Sequence, residues 1–311
     1  MKSRIKTIGI TLGDPAGIGP EVTAKALRLI HLPENIRIKV VGDEKIFRHY
    51  IRKCGPRISV IDLHGNFAHC RPGKPTKESA RASFLYLKTA LALIRKKEID
   101  ALVTAPVSKE GISSLGINFR GHTEYLAGEF AVKKYEMMFV ANNFRAVIIT
   151  RHIPLSAVAR EITPKQIFDA ITLLNKVLKK NFRIKKPFIA VCGLNPHAGE
   201  KGIIGRDEIK TIIPALKRLQ KQRINIAGPL SADTLFYPDH AKKYDAIVAM
   251  YHDQGLAPMK ALYFDKLVNL TIGLPFIRTS PAHGTAFDIA GKNNANPSSM
   301  KAAIELAIHL A

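Results

Sequence analysis

The first stretch whose residues could do chemistry lies near the carboxyl end of the chain, between residues 283 and 296. It combines small residues with one carboxylate, and a helical pattern begins directly after it at Pro297. Glycine and alanine let a ligand approach the backbone, and a carboxylate accepts hydrogen bonds from ribose hydroxyls. These features are typical of a loop that binds adenosine, and a glycine-rich turn before a helix is the alternative. The candidate cofactor-binding residues are His283, Gly284, Thr285, Ala286, Asp288, Ile289, Gly291 and Asn296.

Three of the eleven histidines, His152, His197 and His252, come shortly after predicted strands. Ligands of open α/β sheets bind outside the carboxyl ends of the strands, so we expect these three side chains to converge. Three neutral imidazoles with an open position would bind Zn²⁺ or a similar divalent ion and polarise a substrate oxygen. Each histidine alone is more often structural, and the long, irregular intervals do not form a zinc motif.

Other polar residues occupy comparable positions. His122 and Thr123 open a short helical pattern, and the amino terminus of a helix favours an anion. Further candidates follow predicted strands or flank the last one, namely Asp233, Lys260, Asn269 and Arg278. Each of them alone is compatible with a solvated surface. Together with a metal, they would fit a small substrate that carries a carboxylate and a phosphate.

The segment 13–21 ends the first predicted strand and contains a Gly-x-Gly. It lacks the full dinucleotide-binding and P-loop patterns, so we do not interpret it as a phosphate cradle.

Short apolar runs alternate with amphipathic stretches along the whole chain. The apolar runs predict strands at Ile5–Leu12, Ile36–Val41, Ile58–Leu63, Ala101–Thr104, Met137–Ala141, Ala146–Thr150, Phe188–Cys192, Ile224–Ala227, Ala246–Met250 and Leu267–Ile272. The amphipathic stretches predict helices at Ser79–Lys97, Pro164–Lys180, Asp207–Gln222 and Ser298–Leu310, and a further helix opens at Pro20. Asn142-Asn143 predicts a hairpin turn. This alternation predicts an α/β fold with largely parallel sheets.

The composition is that of a globular protein of two domains, with 311 residues, 46% hydrophobic and 23% charged. Three cysteines without metal-type spacing fit free thiols in a reducing cytoplasm. The basic start Met1–Arg4 precedes an apolar run that is too short for a signal peptide, and no run reaches membrane-spanning length. We therefore expect a cytoplasmic protein without a membrane partner.

The formal net charge of +23 arises partly from clusters around residues 95–97, 179–186 and 217–223. These clusters lie at the ends of helical patterns, where cations complement the helix dipole, and they lack interleaved aromatic residues. We expect a solvated basic surface that helps to attract anionic substrates, with no nucleic acid partner.

The stretch after residue 282 resembles the adenosine-binding loop of the isocitrate and isopropylmalate dehydrogenase superfamily. Further motifs extend a resemblance along the chain to the family of 4-hydroxythreonine-4-phosphate dehydrogenases, which act in pyridoxal 5′-phosphate (vitamin B6) biosynthesis. The motifs that carry it are Gly13–Glu21, Gly121–Glu124, Asn195–Glu200, Gly228–Thr234, Tyr251–Pro258 and Ile277–Pro281.

The resemblance implies two α/β domains with the active site in a cleft between them, completed across a homodimer interface. It implies that His152, His197 and His252 hold one divalent metal ion, Zn²⁺, Co²⁺ or Mg²⁺. It also implies that the substrate is bound by His122, Thr123, Lys260, Asn269 and Arg278. We place a cofactor-side domain at residues 1–110 and 262–311, and a domain for the metal, substrate and dimer contacts at 111–261. NAD is the expected cofactor and NADP a weaker one, because a 2′-phosphate would face Asp288.

One residue departs from the family pattern: Ala282 stands where the family usually has an aspartate. The loss of this carboxylate could weaken or reposition the cofactor, while the proposed metal and substrate ligands are untouched.

The implied reaction is the metal-assisted oxidation of 4-phosphohydroxy-L-threonine at C3, with hydride transfer to the nicotinamide. The product, 2-amino-3-oxo-4-phosphooxybutanoate, is a β-keto acid that loses CO₂ to give 3-amino-2-oxopropyl phosphate. Lys260 and Asp233, acting directly or through water, are the two candidates for the general base. A dehydrogenase of phosphorylated threonate or erythronate is the first alternative. A metal-dependent hydrolase is the second, although it leaves the loop after residue 282 unexplained.

Overall fold

A computed structural model describes residues 4–64 and 70–311, so most of the basic start Met1–Arg4 lies outside the described residues. The chain divides into two compact units, unit 1 (residues 1–131 and 274–311) and unit 2 (residues 132–273). We expected the corresponding boundaries after residues 110 and 261. The helix that starts at His122 is thus part of unit 1.

Unit 1 contains a parallel sheet with the strand order β3-β2-β1-β4-β11. Its strands are β1 (Lys6–Thr11), β2 (Ile36–Gly42), β3 (Ile58–Asp62), β4 (Ala101–Thr104) and β11 (Ile277–Pro281). Its helices are α1 (Gly19–Leu29), α2 (Glu44–Tyr50), α3 (Lys77–Arg95), α4 (Lys109–Ser113), α5 (His122–Glu129) and α12 (Ser298–Leu310). Apolar side chains such as Ile8 and Ile10 are fully buried in the central strands.

Unit 2 contains a mixed sheet with the strand order β10-β5-β6-β9-β7-β8. Its strands are β5 (Glu136–Ala141), β6 (Phe144–Thr150), β7 (Phe188–Cys192), β8 (Asn225–Leu230), β9 (Ala246–Tyr251) and β10 (Val268–Ile272). Strands β6, β9, β7 and β8 run parallel, while β5 pairs antiparallel with both β6 and β10. Its helices are α6 (Val158–Glu161), α7 (Pro164–Lys180), α8 (Ile213–Lys221), α9 (Ala232–Leu235), α10 (Pro238–Ala241) and α11 (His252–Tyr263).

Local sequence accounts for where the two longest helices begin. Thr163 accepts a hydrogen bond from the amide of Gln166, and the Gln166 side chain accepts one from the amide of Thr163, which is a capping box at the start of α7. Thr76 and Ser79 form the same arrangement at the start of α3. Proline in the first turn of α1 and α7 fits because those amides have no partner within the helix.

The predicted α/β class with largely parallel strands is confirmed, and the hairpin at Asn142-Asn143 joins β5 to β6. Two expectations are wrong in detail. Asn269 and Arg278 do not flank the last strand, because each lies inside a strand, β10 and β11 respectively. The predicted helix Asp207–Gln222 is instead a π turn (Glu208–Ile212) followed by α8.

The described part of the chain holds no helix with the length and apolar character that a membrane span requires.

Candidate functional site

The loop proposed for the cofactor connects β11 to α12 in unit 1. Gly284, Asp288 and Gly291 are exposed, and a Cβ added to Gly284 would meet no atom within 4 Å. Two hydrogen bonds between backbone groups, from Ile289 to Ala286 (3.2 Å) and from Lys292 to Ile289 (3.2 Å), fold the centre of the loop into turns. The exposed carboxylate of Asp288 on a tightly turned backbone fits a ligand with hydroxyl donors.

The two ends of this loop are more enclosed. The Nδ1 atom of His283 donates to the carbonyl oxygen of Gly284 (3.0 Å), and burial lowers the pKa of this imidazole. At Ala282, the residue that departs from the family pattern, the backbone amide donates to the Ser299 hydroxyl at the start of α12 (3.1 Å). The backbone at position 282 is therefore fixed without the carboxylate.

A group of cationic and polar side chains in unit 1 surrounds His122, the first residue of α5. Arg278 is only 2% exposed, and its Nη2 donates to the hydroxyl of Thr104 (2.6 Å). Thr123, the next residue of α5, is also buried. Burial lowers the pKa of Arg278, and the negative charge of Glu124 acts against this shift. A cation held in such an environment attracts an anion strongly, because little water screens its charge.

His122 is kept neutral by this environment. Burial lowers its pKa well below the ordinary value of 6.5, and the positive charges of Arg278 and Lys109 lower it further. Its Nε2 atom is buried with no hydrogen-bond partner among the described residues. Since buried polar atoms are nearly always partnered, this nitrogen has the properties of a ligand-binding group.

Lys109, at the start of α4, belongs to this group, although it is not among the candidate site residues that the sequence indicates. Its Cε would lie 3.4 Å from a Cβ built on Gly121, the residue before His122. No motif marks Lys109 in the sequence, because its proximity to His122 arises only from the packing of α4 beside the start of α5.

In unit 2, His152 and His252 follow the ends of β6 and β9, which are adjacent and parallel. Their ring centroids are 5.7 Å apart, and both line a pocket of about 460 Å³ together with Arg151, Tyr251 and Asp253, among others. The Nδ1 atom of His252 lies 2.6 Å from a carboxylate oxygen of Asp253. A carboxylate in this position accepts from Nδ1, orients the ring and leaves the lone pair of Nε2 for a metal ion, as is usual for metal-binding histidines.

His197 lies after the end of β7, the other neighbour of β9. It opens a turn of six successive residues with positive φ, from His197 (φ 51°) to Gly202 (φ 101°). The buried carboxylate of Glu208 stabilises the preceding backbone by accepting from the amides of Leu194 and Asn195 (2.8 Å each). The sequence gives no signal for this turn, because left-handed backbone is uncommon outside glycine and asparagine.

The structure thus places the three histidines after three adjacent parallel strands and pairs two of them. Among the described residues, however, no three histidine, cysteine, aspartate or glutamate side chains are grouped closely enough to hold a metal ion. The described residues of one chain therefore do not group the three imidazoles around one ion.

The remaining predicted residues differ in exposure. Lys260 lies in the last turns of α11 and is exposed, and Asp233, in α9, is exposed as well. Asn269 in β10 has a buried Oδ1 atom with no hydrogen-bond partner in the described part of the chain. An unpartnered buried amide oxygen can accept from a ligand, while the two exposed side chains can exchange protons with water.

Comparisons with known proteins agree on one family. The profile described as "Pyridoxal phosphate biosynthetic protein PdxA" matches residues 13–307. A 4-hydroxythreonine-4-phosphate dehydrogenase of Sulfurihydrogenibium sp. (strain YO3AOP1) is 43% identical over 323 residues, which cover 97% of this chain and 98% of the relative. A putative D-threonate 4-phosphate dehydrogenase of Oceanobacillus iheyensis is 39% identical, with 99% of each chain covered. A solved structure, that of 4-hydroxythreonine-4-phosphate dehydrogenase from Klebsiella pneumoniae, has a TM-score of 0.86 and 36% identity, covering 98% of this chain and 99% of the other.

The neutral state of His122 leads to a testable pH dependence of stability. The unfolded chain protonates this imidazole below pH about 6.5, while the folded chain does not, so acid favours unfolding by up to about 1.4 kcal/mol per pH unit. The substitution His122→Asn should reduce the loss of unfolding free energy between pH 7.5 and pH 5.5, measured by urea denaturation.

The exposed His31, also in unit 1, provides the matched control. His31→Asn should leave the pH dependence as it is in the parent. Equal pH dependence in the parent and the His122→Asn variant would contradict the neutral, buried state.

Proposed function

Because the chain belongs to the family of pyridoxal phosphate biosynthetic proteins PdxA, we propose that it oxidises 4-phosphohydroxy-L-threonine at C3 with NAD. The chain is an oxidoreductase, as its relatives are. The observation that supports a phosphorylated substrate is the cationic group around His122, in which Arg278 is buried and Lys109 is exposed. Arg278, Lys109 and the free Nε2 atom of His122 suit a phosphorylated anion.

In this proposal, the residues of unit 1 bind and orient the anionic substrate. Arg278 contributes a fixed positive charge, because its guanidinium is buried and held by Thr104. His122, in its neutral form, uses Nε2 to hydrogen-bond the substrate, and Thr123 presents its hydroxyl from the same turn of helix. Asn269 and Lys260 of unit 2 are the further proposed substrate ligands, the first with a buried amide oxygen and the second with an exposed amine.

The donor atoms in unit 2 fit a divalent metal ion. His152 and His252 present two imidazoles to one pocket, and Asp253 orients the second ring. We propose these two histidines and His197 as the metal ligands. Since the described residues of one chain do not group all three, the ligand set would be completed across the homodimer proposed below. A divalent ion held there supplies a Lewis acid that lowers the pKa of the substrate hydroxyl at C3.

The loop after β11 fits the adenosine part of a nicotinamide cofactor. Gly284 leaves open space beside the backbone, and Asp288 presents an exposed carboxylate to ribose hydroxyls. The cofactor supplies the hydride acceptor. The hydroxyl proton passes to Lys260 or Asp233, both of which are exposed and can return it to water. The oxidised product, a β-keto acid, then loses CO₂ and yields 3-amino-2-oxopropyl phosphate.

We also propose that the enzyme works as a homodimer formed through unit 2. The most exposed large apolar side chains of this unit are Leu155 (73%), Ile203 (83%) and Phe264 (63%). Leu155 lines the same pocket as His152 and His252. A second copy of the chain that covered Leu155 would shield both the apolar surface and this pocket from water.

A second substrate has a specific observation in its favour. The relative from Oceanobacillus iheyensis, covered over 99% of its length, is named a putative D-threonate 4-phosphate dehydrogenase. Threonate carries a hydroxyl where the amino acid carries an amine, and the cationic group around His122 would bind the phosphate of either acid.

The decisive experiment compares the two acids under identical conditions. We expect NADH absorbance to rise with 4-phosphohydroxy-L-threonine, with a kcat/KM at least about tenfold above that for 4-phospho-D-threonate. A chelator should abolish the signal, and added Zn²⁺ or Co²⁺ should restore it. A higher kcat/KM for the threonate would assign the alternative substrate, and no NADH from either acid would refute the dehydrogenase proposal.

The metal ligands predict the behaviour of three alanine variants. His152→Ala, His197→Ala and His252→Ala should each lose bound metal and lower kcat at least about 100-fold, because Lewis-acid stabilisation is worth several kcal/mol. Metal content is measured by atomic absorption and folding by circular dichroism. Zn²⁺ or Co²⁺ should bind more tightly than Mg²⁺ to nitrogen ligands.

His240, an exposed histidine of unit 2 whose ring contacts the Thr234 carbonyl, is the control for these variants. His240→Ala should keep both metal and turnover. A folded, active and metal-free variant at any of the three positions would remove that residue from the metal site.

The carboxylate of Asp288 leads to a prediction about the preference for NAD over NADP. A 2′-phosphate would place negative charge against this carboxylate, so NAD should exceed NADP by at least about tenfold in kcat/KM. Asp288→Lys should narrow or reverse the ratio, as measured by steady-state kinetics with both cofactors. Asp265→Lys, an equal charge change at an exposed position of unit 2, should leave it unaltered. Equal use of both cofactors by the parent enzyme would show that Asp288 does not face the ribose.

A further inference from the structure

The segment 13–21, which we do not interpret as a phosphate cradle, contacts the cofactor loop directly. The amide of Ile18 donates to the carbonyl oxygen of Thr285 (2.9 Å). At Gly17, an added Cβ would lie 2.9 Å from the same oxygen, so no larger residue fits there without a shift. The backbone before α1 therefore lies against one end of the loop.

The other end of the loop is held by two side chains of α1, Glu21 and Lys25. Glu21 is fully buried, and its Oε1 accepts from the backbone amide of Ala295 (2.8 Å) and from the Lys25 ammonium (2.7 Å). Lys25 also donates to the carbonyl oxygens of Asn293 (2.8 Å) and Ala295 (3.1 Å). The three ammonium protons of Lys25 thus match three acceptors.

This arrangement supplies hydrogen-bond partners that the backbone of the loop needs. Residues 293–295 form neither helix nor strand, Asn293 has a positive φ of 55°, and Ala295 is buried. Buried backbone groups outside regular structure need other partners. Glu21 and Lys25 provide them, and each also balances the charge of the other, so that neither is buried unpaired.

We infer that Glu21 and Lys25 are positioning residues that hold the loop in its cofactor-binding conformation before the cofactor arrives. Helix α1 fixes residue 285 through Ile18 and residues 293–295 through this ion pair, which leaves Asp288 and Gly291 between two anchored points. Because an ordered loop pays less entropy on binding, this anchoring increases affinity for the cofactor. The inference rests on the proposed function only in taking the ligand of this loop to be NAD.

Hydrogen exchange of the enzyme without cofactor tests the anchoring itself. Lys25→Met keeps the length of the side chain and removes its donors. The double variant Glu21→Gln/Lys25→Met removes both charges, so no unpaired charge is left buried. In both, the amide of Ala295 should exchange at least about tenfold faster than in the parent, because it would open locally. Lys6→Met, which removes another ammonium that donates to a carbonyl oxygen in unit 1, should not change this rate.

Calorimetry with NAD and steady-state kinetics test the consequence for binding. The double variant should raise the Kd for NAD about tenfold, equivalent to about 1.4 kcal/mol. Its KM for the phosphorylated substrate and its kcat at saturating NAD should stay within about twofold of the parent, since no catalytic contact is removed.

An unchanged exchange rate at Ala295 in the folded double variant would overturn the anchoring. Faster exchange with an unchanged Kd for NAD would overturn the positioning role. A parent enzyme that binds no NAD would instead refute the proposed function, and the exchange measurement would still decide whether α1 anchors the loop.

Discussion

Arg278 carries a positive charge into the interior of unit 1, and the surrounding residues are arranged around that charge. It lies in β11, directly opposite Leu102 of β4, where an apolar residue would ordinarily stand. A buried charge is costly unless other groups stabilise it, and Thr104 and Glu124 do so here. Burial lowers the pKa of His122 most, and the charge of Arg278 lowers it further. The buried cation thereby favours the neutral form of its neighbour and an anion as the ligand of the site.

Apolar periodicity predicted most of this fold. The strands Ala101–Thr104 and Phe188–Cys192 and the helix Pro164–Lys180 have the bounds that the sequence indicates. These elements are easy to predict because burial of aliphatic side chains and a capping box both act locally. The same reasoning placed His152 and His252 after strands, and the pairing of β6 with β9 brings the two rings together.

Other parts could not be predicted, since they depend on partners distant in the sequence. Strand β11 contains Arg278-Thr279-Ser280, a polar run that resembles a loop until β4 supplies the neighbouring strand. Helix α11 begins at His252 and contains Pro258, which normally argues against a helix. Lys109 joins the group around His122 only through the packing of α4. The ion pair of α1 serves a loop about 270 positions later in the chain, as the hydrogen bond between Ala295 and Glu21 shows.

The left-handed turn that begins at His197 also constrains how this sequence can diverge. Three of its non-glycine members, Ala198, Glu200 and Lys201, occupy backbone angles that cost roughly 1–2 kcal/mol each for an L-residue. Glycine or asparagine at these positions would relieve that cost, while a β-branched residue would increase it. Because position 201 lies outside the motif Asn195–Glu200, natural variation there should favour glycine and asparagine and avoid valine, isoleucine and threonine. Glu208 holds the backbone directly before this turn, so a lineage that lost the carboxylate would keep the strained turn with less support on that side.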